Sequence, residues 1–266
     1  MDVHDVLDDL IAEQHALDAV VAPLRPEQWA LPTPSPRWTI TDQIGHLAYF
    51  DRTAALAIDD PEAFVEHRNE LVASMTDDAA VDETTLGAFR QLGPGDQLLE
   101  WRHRRQELER AGRTLDDSTR VEWYGPSMGA KSFLTARLME VWAHGQDICD
   151  AIGVDRPPSD RIRHIAQLGV ITRGWSYLVR GEQPPDDHIA VELVAPSGDT
   201  WRWGDDAGGS DRIAGPAVDF CLVVTQRRHL DDTALVVEGA SARDWMSKAQ
   251  AFAGGPTTGP SPRGDH

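Results

Sequence analysis

Two cysteines and two lysines are all that the 266 residues contain. The cysteines, Cys149 and Cys221, stand far apart in apolar runs, so the chain offers no disulfide framework and two buried thiols are expected. No apolar run approaches the roughly 20 residues that a membrane-spanning helix requires. Positive charge is also scarce: 25 basic residues face 44 acidic ones, a formal net charge of -19. That balance repels phosphate backbones and anionic bilayers, which removes nucleic acid and membrane from the expected partners. The first residues, Met1-Asp-Val-His-Asp-Val-Leu-Asp-Asp9, are acidic and lack a signal-peptide plan, which sets the expectation of a cytoplasmic protein. Gly-x-Gly-x-x-Gly, Walker-type and Gly-x-Ser-x-Gly signatures are all missing, which argues against dinucleotide, nucleotide and serine-hydrolase chemistry.

Enough apolar residue is present, 41%, for a sizeable core. Val3, Val6, Leu7, Leu10, Leu17, Val20 and Val21 recur at helical spacing and predict a first helix over 3–21. A proline-rich loop follows to Pro36. Thr39-Ile-Thr-Asp42 resembles a capping box and opens a second helix carrying Ile40, Ile44, Leu47, Ala48 and Ala55. A helix from Pro61 to near Met75, an acidic loop over 76–83, a further helical stretch and a charged helix from about Asp96 to Gly112 are expected next. A long helix then carries Leu134, Leu138, Val141, Ile148 and Ile152, with Gly153 as its stop. Pro157-Pro158 marks a boundary. Beyond it, a helix over 160–180, a hairpin over 188–203, a helix opened by Gly215-Pro216, a strand over 234–238 and a helix from Ser241 to about Phe252 are predicted. The predicted class is α+β: an up-and-down helical bundle over 1–156, a smaller α/β domain over 157–253, and a disordered Gly/Pro/Ser-rich tail over 254–266.

Chemistry concentrates in Leu138-Met-Glu-Val-Trp-Ala-His-Gly-Gln-Asp147. Glu140 and His144 stand four positions apart, so a helix places a carboxylate and an imidazole on one face. A third donor from another helix completes a two-His, one-Glu set suited to a catalytic divalent metal with an open position. His46, in Thr41-Asp-Gln-Ile-Gly-His-Leu47, is the best candidate, because an unpaired imidazole on so apolar a helix is costly to bury. Asp147, one helical step past His144, is placed to orient a ligand imidazole, and Gln43, one turn before His46, to add a further contact. The donor types suit zinc first, and iron, nickel and manganese use the same set. Trp38, Trp142, Trp201 and Trp203 are candidates for pocket lining or core.

Two segments together, Trp38-Thr-Ile-Thr-Asp-Gln-Ile-Gly-His-Leu47 and Arg137-Leu-Met-Glu-Val-Trp-Ala-His-Gly-Gln-Asp147, resemble the mycothiol-dependent maleylpyruvate isomerase group of the DinB-like superfamily. The resemblance implies a DinB-like bundle whose metal ligands fall on His46, Glu140 and His144, and it covers most of residues 1–253. It also implies a catalytic Arg227 at the end of Gly215-Pro-Ala-Val-Asp-Phe-Cys-Leu-Val-Val-Thr-Gln-Arg227, although Gln226 stands where the family pattern has glycine and Arg228 follows directly. The implied function is a thiol-dependent isomerase or transferase, with mycothiol as cosubstrate and a small electrophilic acid as substrate. Two alternatives stay open: a metal-dependent hydrolase of the same superfamily using bound water, and a protein that binds metal or a small ligand without turnover. Oligomeric state is not legible.

Overall fold

The computed structural model describes residues 2–74, 77–204 and 211–264. They divide into two compact units, Met1–Arg156 and Pro157–His266.

The first unit is helical. Its long helices are α1 (Val3–Val21), α2 (Ile40–Asp59), α5 (Pro94–Gly112) and α6 (Ala130–Ile152), with α3 (Pro61–Ser74) and α4 (Asp78–Arg90) between α2 and α5. α2 packs on α5 and α6, and α1 packs on α6 and α5, so each long helix has two long neighbours. Leu7, Leu10, Leu17, Ile40, Ile44, Leu47, Leu134 and Leu138 fill the space between them, each almost fully buried. α2 begins where expected: the Thr39 hydroxyl accepts from the Asp42 amide, and the Asp42 carboxylate accepts from the Thr39 amide. α6 stops at Gly153, whose φ of 67° lies in the left-handed region that favours glycine. A short two-stranded ladder, β1 (Arg120–Val121) with β2 (Met128–Gly129), leads into α6.

One buried polar node ties all four long helices. Asp51 of α2 is fully buried and accepts from Gln14 Nε2 of α1 (3.1 Å), Trp101 Nε1 of α5 (3.3 Å) and Arg137 Nη2 of α6 (3.0 Å). A second node joins α1 to α5. The Asp18 carboxylate accepts from Arg102 Nε (2.8 Å), Arg102 Nη2 (2.7 Å) and Arg105 Nη2 (2.6 Å). The Arg102 hydrogen bond, opposed by burial and aided by Arg105, holds the Asp18 carboxyl below its ordinary 3.8. A depressed folded-state pKa contributes stability that is present above the ordinary value and lost as pH falls through the folded one. Asp18→Asn is therefore expected to lower stability at pH 7 by about 1–2 kcal/mol, discounted for the solvent around Arg102, and to make denaturant midpoints less sensitive to pH below about 4. Unchanged pH dependence in the variant would contradict this.

Two expectations for this unit need correction. The stretch over 76–83 is not a loop from Asp78 onward: Asp77 caps α4, its carboxylate accepting from the Ala80 amide at 2.9 Å. Met75 and Thr76, where the preceding helix was expected to end and the loop to begin, lie outside the described residues. The helix expected from Asp96 starts at Pro94, with Gly93 as its cap, because a proline at the first helical position needs no amide partner.

The second unit is a four-stranded sheet with helices. Strands run in the order β4-β3-β5-β6, formed by β3 (Ala190–Val194), β4 (Thr200–Trp203), β5 (Arg212–Pro216) and β6 (Val236–Glu238). β3 and β4 form the expected hairpin, with Leu193 opposite Trp201. β5 joins β3 in parallel, Val191 beside Ile213, and β6 closes antiparallel on β5. α9 (Ala217–Val224) packs on β3 and β5, and α7 (Arg163–Ile171) packs on α9. The helix expected over 160–180 is instead a 3-10 turn (Asp160–Ile162), α7 and α8 (Arg173–Leu178), broken at Thr172. Gly215-Pro216 leads into a helix as expected, with Pro216 as the cap of α9, and the same pair also ends β5, which was not expected. The last helix, α10 (Ala240–Lys248), is capped by Gly239 and ends four residues before Phe252. Residues 254–264 carry no helix or strand. Thr257 Oγ1 donates to Gln226 Oε1 (2.5 Å), and the Arg263 amide meets the Asp232 carboxylate (2.9 Å). Both cysteines are buried and free. Among the described residues, no helix is long and apolar enough to cross a membrane.

Candidate metal centre

α2 and α6 are direct neighbours, and their helical phase decides what faces what. On α2, Gln43, His46 and Phe50 follow at three and four positions, which stacks them on one face. On α6, Glu140 and His144 do the same. The three side chains converge: Glu140 Oε2 lies 3.2 Å from His46 Nε2 and 3.1 Å from His144 Nε2. One ligand atom from each residue lies within 4.8 Å of the others. His144 is buried, while His46 and Glu140 retain some exposure, so the cluster is sheltered and still reachable from solvent.

The hydrogen bonds around His144 settle what its ring presents. Thr33 Oγ1 donates to the Trp38 carbonyl (2.9 Å), Gln43 Nε2 donates to Thr33 Oγ1 (2.8 Å), and Gln43 Oε1 faces His144 Nδ1 at 2.5 Å. In that chain every donor meets an acceptor only if Nδ1 of His144 carries the proton. Its Nε2 is then the ring atom that faces the Glu140 carboxylate, 3.1 Å away. Burial, with help from the neighbouring His144, pushes the His46 pKa down to about 4, so this ring is neutral near pH 7. Burial alone would raise the Glu140 carboxyl, but the hydrogen bonds with His144 and His46 outweigh it and hold the group well below its ordinary value. Two imidazoles and one ionised carboxylate, converging from two helices, fit a divalent ion.

The orienting contact on His144 belongs to Gln43. Asp147 Oδ2 stands 4.0 Å from Nδ1, beyond hydrogen-bond reach, and accepts from Ser35 Oγ at 2.9 Å, which ties α6 to the loop before α2. Gly45, beside His46, lets α2 approach closely: a Cβ there would sit 3.0 Å from Phe89 Cβ and 3.2 Å from Gln97 Nε2. Trp38 and Phe50 both pack against the His46 ring, with centroids 5.0 and 4.5 Å away. Trp142 is core, and so is Trp201 in the second unit.

Arg227 belongs to the C-terminal unit, just past the end of α9. It is half-buried, its amide donates to the Leu222 carbonyl (2.7 Å) and its Nη1 to the Thr225 carbonyl (2.7 Å). The preceding Gln226 has φ 58°, the left-handed conformation that a glycine would adopt without strain. Its side-chain Nε2 donates to the Ala249 carbonyl (3.0 Å), which helps hold a glutamine in that conformation.

Comparison with known proteins gives the family and the fold. Residues 10–149 match the family described as the mycothiol maleylpyruvate isomerase N-terminal domain. The chain belongs to that family. Uncharacterized proteins of two Mycobacterium tuberculosis strains, CDC 1551 and H37Rv, are each 45% identical to it over 254 residues, 94% of this chain and 96% of theirs. Among solved structures, a histidine-to-alanine mutant of a mycothiol-dependent maleylpyruvate isomerase aligns with a TM-score of 0.60 at 16% identity, over 87% of this chain and 91% of that one. Another crystal structure of such an isomerase gives 0.55 at 18% identity, over 85% and 90%. At those identities the likeness establishes the shared fold.

Trp38 was one of four tryptophans that the sequence left between pocket lining and core, and its anchoring to Asp82 was not legible. The one available signal was position: Trp38 immediately precedes the Thr39 cap of the helix that carries His46.

Proposed function

We propose that this chain is a thiol-dependent isomerase or transferase that acts on a small electrophilic acid at a divalent metal centre formed by His46, Glu140 and His144, with zinc the first choice. The observation that carries the reading is the convergence of His46 Nε2 and His144 Nε2 on Glu140 Oε2, at 3.2 and 3.1 Å. A divalent ion there would supply the acidity that lets a coordinated thiol lose its proton at neutral pH. The chain's own residues would do the rest. Gln43 fixes the His144 tautomer, Glu140 offsets positive charge, and Trp38 and Phe50 limit water beside His46. Arg227 would pair its planar guanidinium with a substrate carboxylate.

The thiol has to come from outside. Burial pushes the Cys149 thiol up to about 11 and the Cys221 thiol higher still, so neither is a thiolate near pH 7. Mycothiol is the cosubstrate that family membership supports, and a cytoplasmic setting agrees with the reducing conditions a free thiol needs.

The test is isomerisation of maleylpyruvate by the metal-loaded protein with and without mycothiol. Turnover is expected only with the thiol, and Arg227→Lys is expected to lower kcat/KM roughly 10- to 100-fold, the loss of a bidentate charge-assisted contact. Thiol-independent cleavage of esters or amides would contradict the proposal in favour of a hydrolase.

A further inference from the structure

We propose that Trp38 is the specificity-determining wall of the metal centre and that Asp82 is the residue that positions it; the proposal rests on the metal reading above. The Trp38 ring lies 5.7 Å from the His144 ring at an interplanar angle of 25°, and 5.0 Å from the His46 ring. Phe50 meets His46 at 4.5 Å. Two aromatic rings therefore border the imidazoles that carry the donor atoms. Trp38 is only partly buried, so part of the indole is left for a visiting molecule.

Its placement is enforced from several directions. The indole Nε1 donates to Asp82 Oδ1 at 3.2 Å, and Asp82 is a buried carboxylate on α4, 44 residues away in sequence. The other Asp82 oxygen accepts from Arg37 Nη2 at 3.4 Å and lies 3.9 Å from Arg90 Nη2. Arg90 in turn donates through Nε to Asp42, the residue that closes the α2 cap, at 2.7 Å. Arg37 has φ 70°, a conformation that a non-glycine residue keeps only where its surroundings impose it. The Trp38 carbonyl accepts from Thr33 Oγ1, the same hydroxyl that receives the Gln43 amide. One network thus locks the indole, the start of α2 and the His144 ring together. The core Trp101 also donates to a buried carboxylate, but its ring is fully covered, whereas Trp38 is held as firmly with part of its ring exposed beside the two imidazoles.

A ligand whose donor atom reaches the centre lays the rest of its body beside this wall. A flat group there gains stacking on the indole, whereas a small saturated one gains nothing. The class selected is a ligand with a planar group, such as an amide or a conjugated acid, close to its coordinating atom.

The experiment uses the full-length protein loaded with cobalt(II). Phenylmethanethiol and 2-mercaptoethanol are titrated separately, and binding is read from the sulfur-to-cobalt charge-transfer absorption. Wild type is expected to favour the aromatic thiol roughly five- to tenfold more than Trp38→Leu does, with Trp38→Phe between them. Asp82→Ala is expected to reproduce the loss. Asp82→Asn keeps an acceptor for the indole N–H and is expected to retain the preference. The ligand-field band of cobalt should be unchanged in all four variants. Equal preference in wild type and Trp38→Leu, with cobalt bound in both, overturns the proposal alone. Loss of cobalt binding in both Trp38 variants makes the residue structural and also overturns it. No cobalt band in wild type overturns the metal reading, and this proposal with it.

Discussion

His144→Ala is expected to strip the protein of its divalent ion and abolish turnover. Among the described residues three protein donors converge at the centre, and His144 supplies the most buried of them. Removing it leaves Glu140 and His46, a pair too sparse to hold an ion against water. The loss in affinity should exceed the roughly 10- to 100-fold that removal of an outer hydrogen-bonding partner costs. Gln43→Leu supplies that comparison, because it removes the acceptor 2.5 Å from His144 Nδ1, and the amide that donates to Thr33, without touching a metal donor. It should weaken zinc binding within the smaller range while leaving all three donors in place. Competition with a chromophoric chelator measures both variants on one scale, and circular dichroism shows whether the helices survive. Equal affinity in His144→Ala and wild type would exclude His144 from the centre.

The second large effect is on stability. Asp51→Ala is expected to destabilise the protein by about 3–5 kcal/mol, the usual cost of breaking a buried ion pair from one side. The variant leaves Arg137, only 3% exposed, without its Asp51 partner, and it strands the Gln14 amide and Trp101 indole donors. Burial raises the Asp51 carboxyl above its ordinary value even though Arg137 and Trp101 pull the other way. The pair's net contribution is therefore smaller than the cost of halving it. Asp51→Leu combined with Arg137→Met should accordingly recover most of the stability that either single change loses. Urea denaturation of the three proteins decides the point, and a single variant within 1 kcal/mol of wild type would show that the node does not hold the helices together. The consequence reaches the metal centre, because the Arg137 guanidinium lies 5.9 Å from the Phe50 ring and Phe50 packs on His46.

What could be read from the sequence follows the range of the interactions involved. Glu140 and His144 were legible because four residues on a helix fix their mutual placement before any tertiary contact forms. His46 was legible because an imidazole stood out on an apolar helix, and the Thr39 cap because its partner is three residues away. Asp147 was the natural choice to orient His144 on the same helix, yet the contact comes from Gln43, across the α2–α6 interface. The Trp38 anchor depends on Asp82, and the four-helix node on residues as far apart as Gln14 and Arg137; neither pairing leaves a local mark. The α4 start was hidden by its own acidity: Asp77, Asp78, Asp82 and Glu83 read as a solvated loop, while Thr85 and Leu86 on the same helix are buried. Strand β5 was masked by Gly215-Pro216, which ends the strand and caps α9 at once, and its parallel pairing with β3 is a long-range choice. The break at Thr172 likewise has no proline or glycine at the break itself to announce it.

The account turns on whether one ion sits among His46, Glu140 and His144. Elemental analysis of the full-length protein, purified without chelator and then equilibrated with zinc and desalted, tests that most directly. It should return close to one divalent ion per chain for wild type and almost none for the protein carrying both His46→Ala and His144→Ala. Wild type that stays metal-free, or a double variant that keeps its full complement, would contradict the account.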